Sequence, residues 1–161
     1  MQNTCLKPYT IMINEIVKYH NHSMHTIDTI MVENVRLRVH IAPVGFEIDR
    51  VVIPATRMKA DKIYLLRHTN YSEDKSVPYL EKITKKLEAK NITVKTADAD
   101  RFRLFDIIRV VKEIIEKERE NEIYLNVASG SKIHAVGCMM ACMIFDDRTN
   151  IHPYYAQAKD Y

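Results

Sequence analysis

The chain has 161 residues, of which 47% are hydrophobic and 28% are charged, and its formal net charge is +3. This size suits one domain with a substantial core, and the composition excludes a disordered or membrane-embedded chain. The mild positive charge does not by itself indicate nucleic-acid binding, and no apolar run reaches the roughly 20 residues that span a bilayer. Because the N-terminus lacks a secretion signal, we expect a cytoplasmic protein that contacts no membrane.

The first part of the chain differs from the rest in its patterning. Residues 1–35 show only weak periodicity, and we predict a poorly specified N-terminal extension ahead of a single domain over residues 36–161. The extension contains His20, His22 and His25. We interpret these histidines as part of a solvated segment and not as a metal site.

From residue 36 onward, strand-like and helix-like patterns alternate. The five predicted strands cover residues 37–42, 62–67, 92–97, 123–128 and 151–156. Such alternation is typical of an α/β protein, so we predict a Rossmann-like three-layer αβα sandwich with a five-stranded, mainly parallel sheet in the order 3-2-1-4-5. Pro153 removes a hydrogen-bond donor from the last strand and predicts that this strand lies at an edge.

Helices are predicted between the strands from their buried apolar stripes. The first three stripes are Ile48, Val51, Val52, Ala55 and Met58; Leu80, Ile83 and Leu87; and Leu104, Ile108, Val111 and Ile115. The fourth helix, residues 133–145, is apolar nearly all round, which indicates a core helix also used for self-association. Its Cys138 and Cys142, like Cys5, are expected to be reduced thiols.

Local signals predict where the helices begin. Pro54 predicts a kink or a late start in the first helix. Ser76 is the expected cap of the second helix. Asp98 and Asp100 are expected to cap the third helix, with binding of a divalent cation as the alternative.

Two glycine turns are the most informative features of the sequence. Gly45 and Gly130 are two of only three glycines, and each follows an apolar run and precedes a helical pattern. The run Ser-Gly-Ser-Lys at residues 129–132 brings backbone N–H groups, a helix dipole, two hydroxyls and an ammonium around one point, which suits a phosphate group. The alternative is a helix N-cap made by Ser129 or Ser131, with Gly130 easing the turn.

The predicted strand order brings these turns together. Strands one and four become neighbours where the winding reverses, and ligands of such folds bind in the crevice beyond the carboxyl ends of the strands. We expect the end of strand two to adjoin the same crevice. The predicted ligand-binding residues are therefore Val44, Gly45, Phe46, Arg67, His68, Ser129, Gly130, Ser131 and Lys132.

Several familiar catalytic motifs are absent from the sequence. No Gly-x-Gly-x-x-Gly, Walker or Gly-x-Ser-x-Gly sequence occurs, which argues against dinucleotide binding of the usual kind, P-loop hydrolysis and an α/β-hydrolase triad. We therefore expect no cofactor and no metal. His134 lies near the crevice, where it either caps and packs the helix or reaches the pocket.

The segments VHIAPVGFE (residues 39–47), ADKIYLL (60–66) and NVASGSK (126–132) resemble the CRISPR-associated Rossmann fold, or CARF, domains. The resemblance covers about residues 36–161 and is nearest to archaeal regulators that join a CARF domain to a winged helix-turn-helix. No winged-helix pattern is recognised here, so DNA binding is expected only through a winged helix that these residues do not contain.

The resemblance implies a homodimeric sensor that binds a cyclic oligoadenylate, or another phosphate-bearing small molecule, across the two-fold axis. Gly45 and Phe46 would approach the nucleotide, while residues 129–132 would hold its phosphate or ribose. The lead interpretation has no catalytic residue. The alternative is a metal-independent ring nuclease that cleaves the cyclic nucleotide, with Ser129, Lys132 and His134 as its catalytic groups.

Overall fold

The computed structural model describes residues 35–70, 72, 74–145 and 150–157. The predictions for the N-terminal extension, including its three histidines and Cys5, lie outside the described residues. Within the described ranges, no helix is both long and apolar enough to cross a bilayer.

Strands and helices alternate along the described chain. In order they are β1 (Arg38–Pro43), α1 (Asp49–Arg57), β2 (Lys62–His68), α2 (Val77–Glu88), β3 (Thr93–Ala99), α3 (Leu104–Lys117), β4 (Glu122–Asn126), α4 (Lys132–Ile144) and β5 (Ile151–Tyr154). All strand pairs are parallel, and the order is β3-β2-β1-β4-β5. The predicted α/β fold and strand order are confirmed, and β5 with its Pro153 lies at an edge of the described sheet.

The sheet separates two hydrophobic cores. Because successive side chains of a strand point to opposite faces, Ile63 and Leu65 of β2 pack with α1 and α2, while Tyr64 and Leu66 pack with α3 and α4. Each fully buried aliphatic side chain of this kind stabilises the fold by about 2 kcal/mol. The two packed faces make the predicted three-layer sandwich.

The predicted position of the α2 cap is confirmed, but its side-chain bond is not found, and the α3 cap predicted at Asp98 and Asp100 is wrong. Ser76 occupies the N-cap position of α2, but its side chain makes no capping bond and donates instead to Asp74 Oδ2 at 2.8 Å. Arg103 is the N-cap residue of α3. Asp98 lies within β3. Asp100 lies in the loop before α3, where it accepts a hydrogen bond from the Phe102 amide at 2.9 Å, so neither aspartate caps the helix.

The fourth helix is a core helix with two buried cysteines, as predicted, and its use in self-association stays a prediction. Cys138 and Cys142 are buried thiols on α4. This helix packs against the core on one side and exposes apolar side chains on the other. The exposed apolar residues of α4 are Ile133, Val136, Met139, Met143 and Ile144.

Candidate functional site

The turn after β1 and the turn after β4 touch each other. Their strands are paired, with Ile41 opposite Leu125. A Cβ built on Gly45 would lie 3.0 Å from the backbone nitrogen of Gly130 and 3.1 Å from its Cα. The structure thus brings the two glycine turns together at the point where the winding reverses, as the strand order predicts.

Gly130 is required at the centre of the second turn. Its φ is +78°, a left-handed conformation that costs other L-residues about 1–2 kcal/mol. A Cβ there would also lie 2.6 Å from Pro43 Cβ and 3.1 Å from His134 Nδ1. Both the backbone conformation and the close neighbours therefore demand glycine.

Asn126 holds the second turn in shape. Asn126 is fully buried. The Oδ1 atom accepts hydrogen bonds from the backbone amides of Ala128 at 2.9 Å and Ser129 at 3.2 Å. This arrangement is an Asx turn. It ends β4 because the amides of Ala128 and Ser129 bond to the Asn126 side chain instead of to a neighbouring strand.

Asn126 also joins the second turn to the first helix. Pro54 lies inside α1 and has no N–H, so the carbonyl of Arg50, four residues earlier, loses its helical donor. The Asn126 Nδ2 group donates to this carbonyl at 2.8 Å, and Arg50 Nη1 donates back to the Ala128 carbonyl at 3.1 Å. Since α1 begins at Asp49, the predicted late start is wrong. Pro54 instead leaves the Arg50 carbonyl without a helical donor, so this carbonyl accepts the hydrogen bond from Asn126.

Ser131 caps helix α4 together with His134. The hydroxyl of Ser131 accepts from the His134 amide at 3.4 Å, and His134 Nδ1 accepts from the Ser131 amide at 3.2 Å. Burial lowers the pKa of His134 to about 4, with the Arg101 charge acting in the same direction, so the imidazole is neutral near pH 7. Its proton then lies on Nε2, which is buried and has no hydrogen-bond partner among the described residues.

The hydrogen bonds decide which groups of the turn can hold a ligand. The amides of Ala128, Ser129 and Ser131 are already used, so fewer donors remain than the sequence suggested. Within the described chain, the amides of Gly130, Lys132 and Ile133 make no hydrogen bond.

Two side chains add polar groups to these amides. Lys132 is exposed and forms no ion pair with a described residue. Ser129 is 4% exposed, and its hydroxyl has no hydrogen-bond partner among the described residues. An anion bound here would meet three N–H groups, the amino end of a helix and one ammonium.

The first turn contributes an aromatic ring. Phe46 is 59% exposed, and its ring meets the edge of Tyr79 at a centroid distance of 5.2 Å. Val44, by contrast, is buried in the core beneath α1 and α2, and its amide donates to the Leu66 carbonyl at 2.9 Å. Val44 is therefore a supporting residue, whereas Phe46 is open to a ligand.

The two predicted residues of β2 lie on opposite faces of the sheet. Arg67 forms an ion pair with Asp98 of the neighbouring strand. His68 lies on the α3 and α4 side, where its Nδ1 accepts from the Arg101 amide at 3.3 Å. The Arg101 guanidinium in turn binds the buried carboxylate of Asp74 at 3.0 Å.

Sequence reasoning missed Asn126, Arg50 and Arg101. Asn126 directly follows an apolar strand and precedes Ser-Gly-Ser, which is an Asx-turn signal that could have identified it. For Arg50 the only clue is Pro54 four residues later. No sequence signal distinguishes Arg101 from Arg103 nearby.

A family model and one curated relative match the chain. The model of the family described as "HFX_2341_N:-like, N-terminal" matches residues 38–161, and the chain belongs to this family. The chain is also 34% identical over 129 residues to the uncharacterized protein MJ1513 of Methanocaldococcus jannaschii. That match covers 76% of this chain but only 38% of the relative, so the chain spans well under half of the relative's length.

Solved structures of two other proteins share the fold. Can2 of Sulfobacillus thermosulfidooxidans, in complex with cyclic tetra-adenylate, has a TM-score of 0.61 at 17% identity, over 74% of this chain and 32% of Can2. Csm6 of Enterococcus italicus, bound to cyclic hexa-2'-fluoro-hexa-dAMP, has a TM-score of 0.60 at 12% identity, over 77% of this chain and 34% of Csm6. The predicted Rossmann-like fold is thus shared with two proteins solved with cyclic oligonucleotides.

Proposed function

We propose that this chain is a ligand-sensing domain that binds a cyclic oligoadenylate, or a related nucleotide, in the crevice between its glycine turns. The observation that carries the proposal is the contact of Gly45 with the Gly130 backbone. Because of this contact, the amides of Gly130, Lys132 and Ile133, which make no hydrogen bond in the described chain, lie close to a second turn, and Lys132 adds an exposed basic side chain. Two proteins of the same fold, Can2 and Csm6, were solved with cyclic oligonucleotides, which supports this ligand class.

The proposal includes a homodimer formed through helix α4. The exposed apolar face of α4 would be covered by a second copy, because its Val136 is 51% exposed and Met143 is 70% exposed. Lys132 and Ile133 begin the same helix. A two-fold axis along this face would therefore bring two crevices side by side, and a symmetric ring suits a symmetric pair. In the regulators that the sequence resembles, such a domain controls an attached winged helix, and we propose the same sensing role here.

Calorimetric titration with cyclic tetra-adenylate and cyclic hexa-adenylate tests the proposal. We expect one ring to bind per two chains. Lys132→Gln should weaken binding about tenfold or more, because a charged hydrogen bond contributes about 1.5–3 kcal/mol. Lys90→Gln is the matched control, since Lys90 is also exposed but lies near Asn91 and Ile92 at the amino end of β3. Absence of binding for both rings would refute the proposal.

One observation favours a ring nuclease as the second candidate. The buried Ser129 hydroxyl has no partner in the described chain, and Ser129 lies in the turn that Asn126 holds, so its hydroxyl could orient a ribose hydroxyl. His134 is less suited to act as a base, because its Nδ1 is engaged by Ser131 and its Nε2 carries the proton. Chromatography of labelled ring after incubation with excess protein decides between the two, since a sensor leaves the ring intact.

A further inference from the structure

The loop between β3 and α3 presents an exposed phenyl ring at the carboxyl end of the sheet. Phe102 is 69% exposed. The His68 ring meets it at a centroid distance of 5.5 Å and an angle of 87°, and the Arg101 guanidinium carbon lies 5.0 Å from its centroid. Most of its apolar surface is therefore open to solvent while neighbours restrict its position.

Buried polar contacts hold these neighbours in place. The Arg101 amide donates to His68 Nδ1 at 3.3 Å, and the Arg101 side chain binds Asp74 at 3.0 Å. The Asp74 side chain is only 3% exposed and also accepts hydrogen bonds from the amide and hydroxyl of Ser76, at 2.9 and 2.8 Å. The support of the Phe102 ring is thus built from the end of β2 and from two loops, those before α2 and before α3.

The loop that carries Phe102 lies at the same edge of the sheet as the glycine turns, because the carboxyl ends of parallel strands meet at one edge. The Val44 amide, after β1, donates to the Leu66 carbonyl of β2 at 2.9 Å. Two residues farther along β2, His68 pairs with Ala99 of β3, which directly precedes the loop of Phe102. A ligand held by the glycine turns can therefore extend along this edge toward the loop after β3.

We propose that Phe102, supported by His68 and Arg101, is a stacking platform for one purine base of the nucleotide ligand. The proposal rests on the proposed function and adds a second aromatic platform to that of Phe46. The two rings lie on opposite faces of the sheet, because Phe46 packs against Tyr79 of α2 whereas Phe102 packs against His68 on the α3 side. A flat base offers a π-face to an exposed ring, and stacking of this kind accepts any base.

The absence of tryptophan from the chain permits a direct test. Phe102→Trp keeps an aromatic ring at the platform and introduces a single fluorescent reporter. We expect cyclic tetra-adenylate to bind this variant and to quench its fluorescence through the stacked adenine. Phe105→Trp is the matched control, because Phe105 is 79% exposed only three residues away but makes no aromatic contact with a described residue; its fluorescence should not be quenched.

Removal of the ring gives the second measurement. Phe102→Leu should weaken cyclic tetra-adenylate binding about tenfold, within the range found for loss of one base stack, while Phe105→Leu leaves affinity unchanged. Equal thermal unfolding of both variants verifies that they fold. If the wild-type chain binds the ring but Phe102→Leu binds equally well, or if Phe102→Trp binds without quenching, the platform is refuted and the proposed function stands. If the wild-type chain binds no ring, both are refuted.

Discussion

Asn126 is the residue on which the shape of the second glycine turn depends most, and Asn126→Ala should damage both stability and binding. The substitution removes three hydrogen bonds, from the amides of Ala128 and Ser129 and to the carbonyl of Arg50. Each is worth about 1 kcal/mol net, so the free energy of unfolding should fall by about 3 kcal/mol. Urea unfolding measures this loss.

Ligand affinity should fall as well, because the Gly130 and Lys132 amides would no longer be held in one arrangement. Titration with cyclic tetra-adenylate measures the affinity of the folded variant. Asn150→Ala is the matched control, since the buried Asn150 side chain also donates to two backbone carbonyls, those of Arg119 and Asn121, beside the amino end of β4. It should lose stability but keep full affinity. Unchanged affinity in Asn126→Ala, or an equal loss in Asn150→Ala, would refute the reasoning.

Three further predictions follow from the site and its surroundings. Gly130→Ala should lower the free energy of unfolding by at least about 2 kcal/mol in urea, because its φ is +78° and a Cβ would meet Pro43 at 2.6 Å. Burial holds the pKa of His40 and His134 at about 4, below the ordinary 6.5, so the unfolded chain binds more protons between these values. The free energy of unfolding should therefore carry the full contribution of both histidines above pH 6.5. It should fall by up to about 3 kcal/mol per histidine as the pH drops to 4. A free energy of unfolding, measured in urea, that does not change over this pH range would contradict the prediction. Val136→Glu should convert the proposed dimer to a monomer in analytical ultracentrifugation, because Val136 is 51% exposed on the apolar face of α4, and an unchanged mass would count against that interface.

The fold was predictable because its signals are repeated along the chain. Strands such as β2 contain a short apolar run, and helices show a stripe such as Leu80, Ile83 and Leu87, all three buried in the structure. Pro153 identified the edge strand for a simple reason, the missing amide donor. The meeting of Gly45 and Gly130 then followed from the strand order alone.

The hydrogen-bond partners within the site were not predictable in the same way. The sequence suggested that Ser76 and Asp98 cap helices, whereas Ser76 binds Asp74 and Asp98 pairs with Arg67 across the sheet. These choices depend on which side chains three-dimensional packing brings within reach. The acceptor role of the Arg50 carbonyl likewise arises only because Pro54 and Asn126 come together from distant parts of the chain.

The ligand-binding roles of the predicted site residues remain predictions, and the three glycines of the chain allow a direct test of them. Labelling with ¹⁵N-glycine should give one amide signal each from Gly45, Gly130 and Gly137, and the last lies within α4 against Ile107. On titration with cyclic tetra-adenylate, we predict that the signals of Gly45 and Gly130 shift together with a single affinity, while that of Gly137 moves least. Binding that leaves the Gly45 and Gly130 signals in place would contradict the central claim that the two turns grip the ligand.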